Sequence, residues 1–325
     1  MSLPSFLSPL TRSANSAPGL TSHNAQFAHN GSLGSSHVLW WPTLSGKDPD
    51  ALLFFIPGNP GLVDFYIPFL SAIHAQELSP NLAIVAKAHV GHYPGVTETA
   101  PMHRPEESLT IQIQASLELL GTVINFYKRK PRIIVIGHSV GSWISLQLLK
   151  AVPHEISATF LLFPTISNIA DTPNGKLLFP IFHPLSRSIL SSLSVVAKWI
   201  PHRFISFLYA SWPQNQVQVL REFISSGRSI TASLSMAHQE MKNIRALDTA
   251  LLEGCKDKLY FYYAESDNWV GKEREALLQV IGPNNESAKI VYEQSGIPHA
   301  FCINHSDLVA KDCSSWINRI LHETI

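Results

Sequence analysis

The sequence predicts an α/β protein in which helices cover both faces of a mainly parallel sheet. From residue 36 onward, short apolar segments rich in β-branched and aromatic residues alternate with longer amphipathic stretches. Strands that alternate with helices in this way are typical of parallel sheets. A length of 325 residues with 45% hydrophobic content is sufficient for a substantial buried core. The predicted strands are residues 37–41, 52–56, 82–86, 133–136, 158–163, 259–263 and 289–293.

Two longer segments interrupt this series of strands. Residues 108–130 carry apolar side chains at helical spacing and end in Lys128, Arg129 and Lys130, followed by proline. Basic residues and then proline are typical of a helix C-terminus. Between about residues 166 and 254 the sequence is helix-like and lacks clear strand signals, which predicts a helical lid inserted over the sheet. We therefore expect one domain over residues 36–325 that contains this insertion.

Residues 1–35 differ in composition from the rest of the chain. They are rich in Ser, Asn, Gly and Pro, contain no acidic residue and show no sustained apolar period. This composition predicts a poorly ordered extension. A mitochondrial presequence is only weakly indicated, because Arg12 is the one basic residue in the segment.

The overall composition argues against several classes of function. The 24 basic and 24 acidic residues give a formal net charge of zero, and no basic stripe with interleaved aromatic residues is present. We therefore expect no nucleic-acid partner. The sequence has no His/Cys/Asp/Glu grouping with metal-site spacing, no G-x-G-x-x-G and no P-loop, so we expect no metal and no cofactor. Three cysteines without a CxxC pair indicate no disulfide framework and fit a reducing compartment.

The strongest signal for chemistry is Gly-His-Ser-Val-Gly at residues 137–141, which fits G-x-S-x-G. A β-rich run at 132–136 precedes it and a helix-like segment follows it, which is the strand, tight turn and helix that this motif requires. Gly137 and Gly141 are expected because Cβ atoms there would collide in the strained turn that exposes the serine Oγ. Ser139 is therefore predicted to be a nucleophile.

A serine nucleophile needs a histidine base, and a carboxylate must hold that base in the right tautomer. The position in the chain has to select among 15 histidines. His299 lies in a loop after the last predicted strand and before the last predicted helix, which suits the order serine, acid, histidine. We predict His299 as the base. His305 is the nearest rival, but it lies closer to that helix and is expected to serve near its start. His89, His92 and His138 are expected to have structural or supporting roles.

Asp267 is the predicted acid. It follows the strand at 259–263, one strand before His299 and at the same end of the sheet. The sequence separation of 32 residues from Asp267 to His299 leaves room for one helix and one strand. Glu265 is an alternative carboxylate, although it falls closer to the strand end and is expected to face elsewhere.

The predicted oxyanion hole needs two backbone N–H groups aimed at the developing negative charge. Val140, the residue after the nucleophile, supplies the first. The second should come from the Pro-Gly-Asn-Pro-Gly loop at 57–61, which follows the strand at 52–56. Asn59 is the candidate, because Pro60 has no N–H to donate. An ordinary Pro/Gly turn is the alternative interpretation of this loop.

Residues 176–212 form a strongly apolar and aromatic part of the predicted lid. No window of the chain reaches 18 uncharged apolar residues, so a spanning helix is not predicted. Basic residues that flank apolar runs of about ten residues favour a segment that lies in a lipid interface over one that crosses it. A buried pair of cap helices is an equally open interpretation. The charged residues of the segment are all basic: Lys176, Arg187, Lys198 and Arg203.

With these motifs placed, the chain resembles the lipid droplet-associated hydrolase family, a branch of the α/β-hydrolases. The order P-G-N-P-G, G-H-S-[IV]-G, F-P-T-I and I-P-H-A-F carries the resemblance over most of residues 52–301. The resemblance implies the α/β-hydrolase fold and a triad of Ser139, Asp267 and His299. Residues 1–35 do not resemble the family, and 176–235 match in apolar character more than in residues.

The resemblance also implies a function and a location. The expected activity is hydrolysis of lipid esters, either sterol esters or acylglycerols, by a peripheral or monotopic protein. Its expected site is the lipid droplet surface or the endoplasmic reticulum, reached through about residues 176–212. Two alternatives stay open: a lipid-droplet interaction protein with weak or no hydrolase activity, and an acyltransferase that uses the same acyl-enzyme. The sequence predicts no acyl length, alcohol group or oligomeric state.

Overall fold

The computed structural model describes residues 3–10, 22–76, 81–97, 103–281, 289–293 and 295–322. These residues form a nine-stranded sheet of order β1-β2-β3-β5-β4-β6-β7-β8-β9. Adjacent strands from β5 to β9 are parallel, whereas β1, β2 and β3 add an antiparallel edge. The strands are β1 (Ser8–Pro9), β2 (His23–Ala28), β3 (Ser35–Trp41), β4 (Ala51–Ile56), β5 (Leu82–Lys87), β6 (Arg132–His138), β7 (Ile156–Leu162), β8 (Leu259–Ala264) and β9 (Lys289–Glu293).

The mainly parallel sheet predicted from the sequence is confirmed, and each of the seven predicted strands overlaps one of β3 to β9. The central strands are buried on both faces, as β4 shows most clearly. Its side chains alternate between two apolar cores, with Leu52 and Phe54 in one and Leu53 and Phe55 in the other. This burial on both sides explains why the strand is a continuous apolar run.

Helices cover both faces of the sheet. Helices α3 and α4 pack on one face, and α1 and α12 pack together on the other. The helices are α1 (Ile67–Ala75), α2 (Pro94–Thr97), α3 (Ser108–Phe126), α4 (Val140–Ala151), α5 (Pro173–Leu178), α6 (Pro184–Ala197), α7 (His202–Leu208), α8 (Gln214–Ile224), α9 (Gly227–Asn243), α10 (Thr249–Gly254), α11 (Glu273–Ile281) and α12 (Ser306–His322). The predicted helix at 108–130 corresponds to α3, which ends before the three basic residues.

The expectation of a poorly ordered extension at residues 1–35 is wrong for part of that segment. Strand β2 pairs antiparallel with β3, and β1 pairs with β2. Ala25 and Phe27 are buried in the core, while Gln26 between them and Asn24 before them are only partly buried. Because a strand buried on one face needs few apolar residues, its signal is hidden in a polar composition. Residues 1–2 and 11–21 of this prediction lie outside the described residues.

The segment between β7 and β8 contains the helices α5 to α10, where the sequence predicted a helical insertion at about 166–254. Helix α9 is central to it, since it packs against α3, α6 and α8. Within the part of the chain that the structure describes, no helix has the length and hydropathy needed to cross a membrane.

Helices α6 and α7 and the chain between them expose several large apolar side chains. Trp199 is 84% exposed and Phe207 is 78% exposed. A fully buried pair of cap helices is therefore not what the structure shows. The inward side of the same segment is packed, and Arg187 is buried there with its Nη1 atom 2.7 Å from Ser235 Oγ. Lys176, Lys198 and Arg203 are exposed, so three of the four basic residues face solvent.

Candidate active site

The turn between β6 and α4 presents Ser139 at the carboxyl end of the central strand. Ser139 has φ 54° and ψ −124°, a backbone conformation that L residues rarely adopt. A Cβ atom on Gly137 would lie 2.3 Å from the Gly141 carbonyl oxygen, and one on Gly141 would lie 2.3 Å from the Ile56 carbonyl oxygen. Both positions therefore require glycine, for the steric reason that the sequence motif suggests.

Ser139, His299 and Asp267 are brought together in one chain of hydrogen bonds. His299 Nε2 lies 2.9 Å from Ser139 Oγ, and His299 Nδ1 lies 2.7 Å from Asp267 Oδ2. The three residues follow β6, β8 and β9, whose parallel arrangement places their carboxyl ends at one edge of the sheet. The imidazole is thus placed between the hydroxyl and the carboxylate, as a general base requires.

The Asp267 carboxylate is held in its charged form by its surroundings. Its side chain is only 4% exposed, and burial by itself raises the pKa of a carboxyl group. The carboxylate forms a hydrogen bond with His299, and its Oδ1 accepts two more from the backbone N–H groups of Trp269 and Val270. Together these interactions outweigh burial and hold the pKa of Asp267 below its ordinary value. The lowered pKa favours an ionised Asp267, whose Oδ2 lies beside His299 Nδ1.

His138, although next to the nucleophile, faces away from its hydroxyl. Its Nδ1 atom lies 2.7 Å from the Tyr66 hydroxyl, and its Nε2 atom lies 2.9 Å from the carbonyl oxygen of His299. Burial, followed by the charge of His299, lowers the pKa of His138 to about 3, so the ring stays neutral. His138 therefore anchors the backbone of the His299 loop, which is the supporting role expected from the sequence.

The loop at 57–61 lies directly against the nucleophile. A Cβ atom on Gly58 would be 2.8 Å from Ser139 Cβ. The Gly58 N–H donates to the Tyr66 hydroxyl at 3.1 Å, so it is already engaged. Asn59 supplies the next N–H in the chain, and Val140, at the start of α4, supplies the N–H beside the nucleophile. These are the two donors that the sequence suggests for an oxyanion hole.

The other carboxylate and histidines that the sequence suggests near the site lie outside the chain of hydrogen bonds from Asp267 to Ser139. Glu265 is exposed and does not join the chain of hydrogen bonds. His92 Nδ1 lies 2.8 Å from the Pro60 carbonyl oxygen, and the His89 ring would contact a Cβ atom on Gly61 at 2.5 Å. Both histidines thus support the loop at 57–61. His305 immediately precedes α12.

A cavity of about 400 Å³ opens beside Ser139 and His299, and most of its wall is apolar. The sheet edge contributes one side, whereas the insertion contributes the other through side chains such as Leu178, Phe182 and Met241. Glu240, a buried carboxyl on α9, also lines the cavity and was not predicted from the sequence. Among the described residues there is no group of three or more His, Cys, Asp or Glu side chains that could hold a metal ion.

The fold and the geometry of Ser139, His299 and Asp267 define a protein of the α/β-hydrolase class. Solved structures with the same fold include a haloalkane dehalogenase loop variant from Bradyrhizobium elkanii (TM-score 0.65, 9% identity, 93% of this chain and 98% of that chain). An epoxide hydrolase from Vigna radiata also matches (TM-score 0.63, 12% identity, 92% of this chain and 99% of that chain). At these identities the likeness concerns the fold alone.

The chain belongs to the lipid-droplet associated hydrolase family, whose model matches residues 49–302. The lipid droplet-associated hydrolase of Rattus norvegicus is 27% identical over 301 residues, which cover 86% of this chain and 90% of the rat protein. The Homo sapiens protein of the same name is 27% identical over 285 residues, with 82% and 84% covered. The Dictyostelium discoideum protein is 26% identical, with 85% and 90% covered. The resemblance inferred from the motifs is thus confirmed.

Proposed function

We propose that this protein is a serine hydrolase that cleaves carboxylic esters of lipids. The observation that carries the proposal is the chain of hydrogen bonds from Asp267 through His299 to Ser139, which ends in an apolar cavity. A hydroxyl paired with a neutral imidazole, itself paired with a buried carboxylate, is the arrangement that activates serine near neutral pH. Membership of a family of hydrolases supports the same conclusion.

Acylation begins with attack of Ser139 Oγ on the ester carbonyl carbon. His299 Nε2 accepts the hydroxyl proton as the new C–O bond forms, and the carbonyl oxygen becomes an oxyanion that accepts hydrogen bonds from the Asn59 and Val140 N–H groups. Asp267 stays ionised and stabilises the imidazolium. The bond to the alcohol oxygen then breaks, and His299 gives its proton to the departing alcohol.

Deacylation repeats these steps with water as the nucleophile. His299 takes a proton from the water while the water oxygen attacks the acyl carbon, and a second oxyanion forms in the same hole. The bond from the acyl carbon to Ser139 Oγ breaks, and the proton returns to the serine oxygen. The free acid leaves and the starting state of the three residues is restored.

The apolar cavity wall supports a lipid acyl chain as the bound part of the substrate, because burial of each methylene contributes about 0.8 kcal/mol. Sterol esters and acylglycerols are the proposed substrate classes. Several relatives are named for lipid droplets, which supports a droplet location for this chain. We place it at the surface of droplets or of the endoplasmic reticulum.

The exposed apolar surface of α6, α7 and the connection between them supports docking on a lipid monolayer. We name this surface the apolar ridge and define it by Leu185, Ile189, Leu193, Val196, Trp199, Phe204, Phe207 and Leu208, which are each more than half exposed. Exposed Lys176, Lys198 and Arg203 lie in the same segment and favour anionic headgroups. The insertion thus acts as a lid that both covers the cavity and faces the lipid.

Replacement of the nucleophile tests the proposal. We expect Ser139→Ala to lower the turnover of a soluble p-nitrophenyl ester by about 10⁴-fold or more, as loss of the nucleophile does in other serine hydrolases. The variant should also lose labelling by a fluorophosphonate probe and keep the urea midpoint of the wild type. Equal turnover by the wild type and the variant would contradict the proposal and favour a lipid-binding protein without hydrolase activity.

A further inference from the structure

Two residues of α9 form hydrogen bonds with Asn59 in the loop at 57–61. Glu240 Oε1 accepts a hydrogen bond from Asn59 Nδ2 at 2.9 Å, and the backbone oxygen of Ser233 accepts a second one from the same amide at 3.0 Å. The Ser233 hydroxyl donates to Asn59 Oδ1 at 2.5 Å. The side-chain amide of Asn59 is thus bonded through both its nitrogen and its oxygen, and each partner belongs to the insertion.

These contacts are buried, which makes them sensitive to the exact position of α9. Glu240 and Ser233 are each only 6% exposed, and a buried polar group costs free energy unless it is hydrogen bonded. Burial raises the pKa of Glu240 to about 7, with the Asn59 hydrogen bond as a smaller opposing effect. A carboxyl group kept at this cost beside an apolar cavity is poorly explained by helix packing alone.

The rest of the loop is fixed by the sheet side of the molecule. The Tyr66 hydroxyl accepts from the Gly58 N–H, and the Pro60 carbonyl oxygen lies 2.8 Å from His92 Nδ1. The Gly58 carbonyl oxygen, which belongs to the same peptide group as the Asn59 N–H, accepts a hydrogen bond from the Gly61 N–H at 2.7 Å within the loop. The Asn59 residue itself is held from outside the loop by its side-chain contacts. Those contacts come from α9.

We infer that Glu240 and Ser233 are positioning residues that orient the Asn59 N–H toward the oxyanion through the Asn59 side chain. This inference rests on the proposed function, in which the Asn59 N–H stabilises the oxyanion. We call the hydrogen bonds of Glu240 and Ser233 to the Asn59 side chain the clamp. The clamp makes the insertion part of the catalytic apparatus, because a displacement of α9 would break these hydrogen bonds to the oxyanion loop. The transition state would lose stabilisation while the acyl chain could still bind.

A kinetic split between kcat and KM tests the inference with a soluble p-nitrophenyl ester. Loss of one oxyanion donor lowers kcat by about 10²–10³-fold in other serine hydrolases, so a misdirected donor should lower it by about tenfold. We expect this loss in Glu240→Ala with little change in KM. Glu240→Gln keeps the acceptor oxygen and should restore kcat to within about twofold of the wild type.

A matched control and a double-mutant cycle separate positioning from folding. Gln239 is a buried polar residue of α9 that bonds to Asn243 rather than to the loop, so Gln239→Ala should leave kcat unchanged. Asn59→Ala keeps the backbone N–H but removes the clamped amide, and should lower kcat about as much as Glu240→Ala. The double variant should be no slower than either single variant, because both remove one interaction.

Three outcomes would overturn the inference. They are an unchanged kcat in Glu240→Ala, an equal loss in Gln239→Ala, or multiplied losses in the double variant with Asn59→Ala. Each of these results is compatible with an active Ser139, whereas retained turnover in Ser139→Ala would instead contradict the proposed function. Urea midpoints measured for every variant show whether a loss of kcat reflects unfolding.

Discussion

The carboxyl edge of the sheet and the helical insertion line the same cavity, but they are built under different constraints. At the sheet edge, Ser139, Asp267 and His299 follow strand ends, so main-chain hydrogen bonds between parallel strands fix their separation. The insertion has no such ladder and is held by side-chain packing of α9 on its neighbours. Backbone pairing therefore sets the positions of the three residues at the sheet edge. Side-chain packing, in contrast, shapes the insertion, including its side of the cavity and its exposed surface.

The two regions also differ in how they treat apolar surface. The core strands bury their side chains on both faces, as in β4, where every residue is buried. In the apolar ridge, by contrast, large side chains remain open to solvent. The sheet thus buries its apolar side chains within the protein, whereas the ridge leaves them available for the proposed contact with lipid.

The largest effect is expected where the sheet edge sets the tautomer of the base. Asp267→Asn should lower kcat by about 10⁴-fold, because an amide cannot hold the His299 ring with its Nε2 lone pair toward Ser139. Steady-state turnover of a soluble ester measures this loss, with the urea midpoint as the check on folding. A decrease of less than tenfold would contradict the role of Asp267 in holding the His299 ring, and with it the fixed geometry proposed for the sheet edge.

The next effect concerns the tight packing of the sheet edge. Gly141→Ala places a Cβ atom 2.3 Å from the Ile56 carbonyl oxygen, so β4 and α4 must move apart. We expect the free energy of unfolding to fall by about 3 kcal/mol, the upper range for overpacked sites, as measured by urea denaturation. Gly254→Ala at the end of α10 is the control, because its Cβ would meet open space and should leave stability within about 0.5 kcal/mol. Equal effects at both glycines would contradict the difference in packing.

The smallest effect is expected at the apolar ridge. Trp199→Ala combined with Phe207→Ala should weaken binding to triacylglycerol droplets coated with phosphatidylcholine by roughly tenfold, because side chains in a lipid interface are only partly buried and contribute less than the about 1.5–3 kcal/mol of full burial. Flotation with the droplets measures binding, and turnover of a soluble ester should not change. Leu308→Ala, at a half-exposed leucine of α12, is the matched control. Unchanged flotation of the double variant would contradict a role of the apolar ridge in lipid docking.

The sequence motifs were informative wherever a local rule applies. The glycines around Ser139 follow from steric limits on one tight turn, and the order serine, acid, histidine selects His299 and Asp267 from many candidates. The structure places these residues in one hydrogen-bonded chain. Strand β2 was missed because only one face is buried, so its few apolar residues are dispersed in a polar segment.

The clamp of Glu240 and Ser233 on Asn59 could not have been predicted from spacing. These side chains are separated from Asn59 by 181 and 174 residues. No periodicity in the sequence relates an amide in the loop after β4 to two residues that lie about two turns apart on a helix of the insertion. The signal would have been a glutamate among apolar residues of α9, and an amphipathic helix explains that pattern equally well.

By itself, the amino-acid sequence determined the parallel sheet, the elbow at Ser139 and the apolar character of residues 176–212. These follow from short-range rules: burial on both faces, the sterics of one turn and the balance of apolar and basic side chains. The tertiary structure alone decided that α9 contacts the loop at 57–61 and that the apolar ridge is exposed while Arg187 is buried. These features depend on how segments that are far apart in the sequence pack together. The energy of each such contact depends on the burial of both partners.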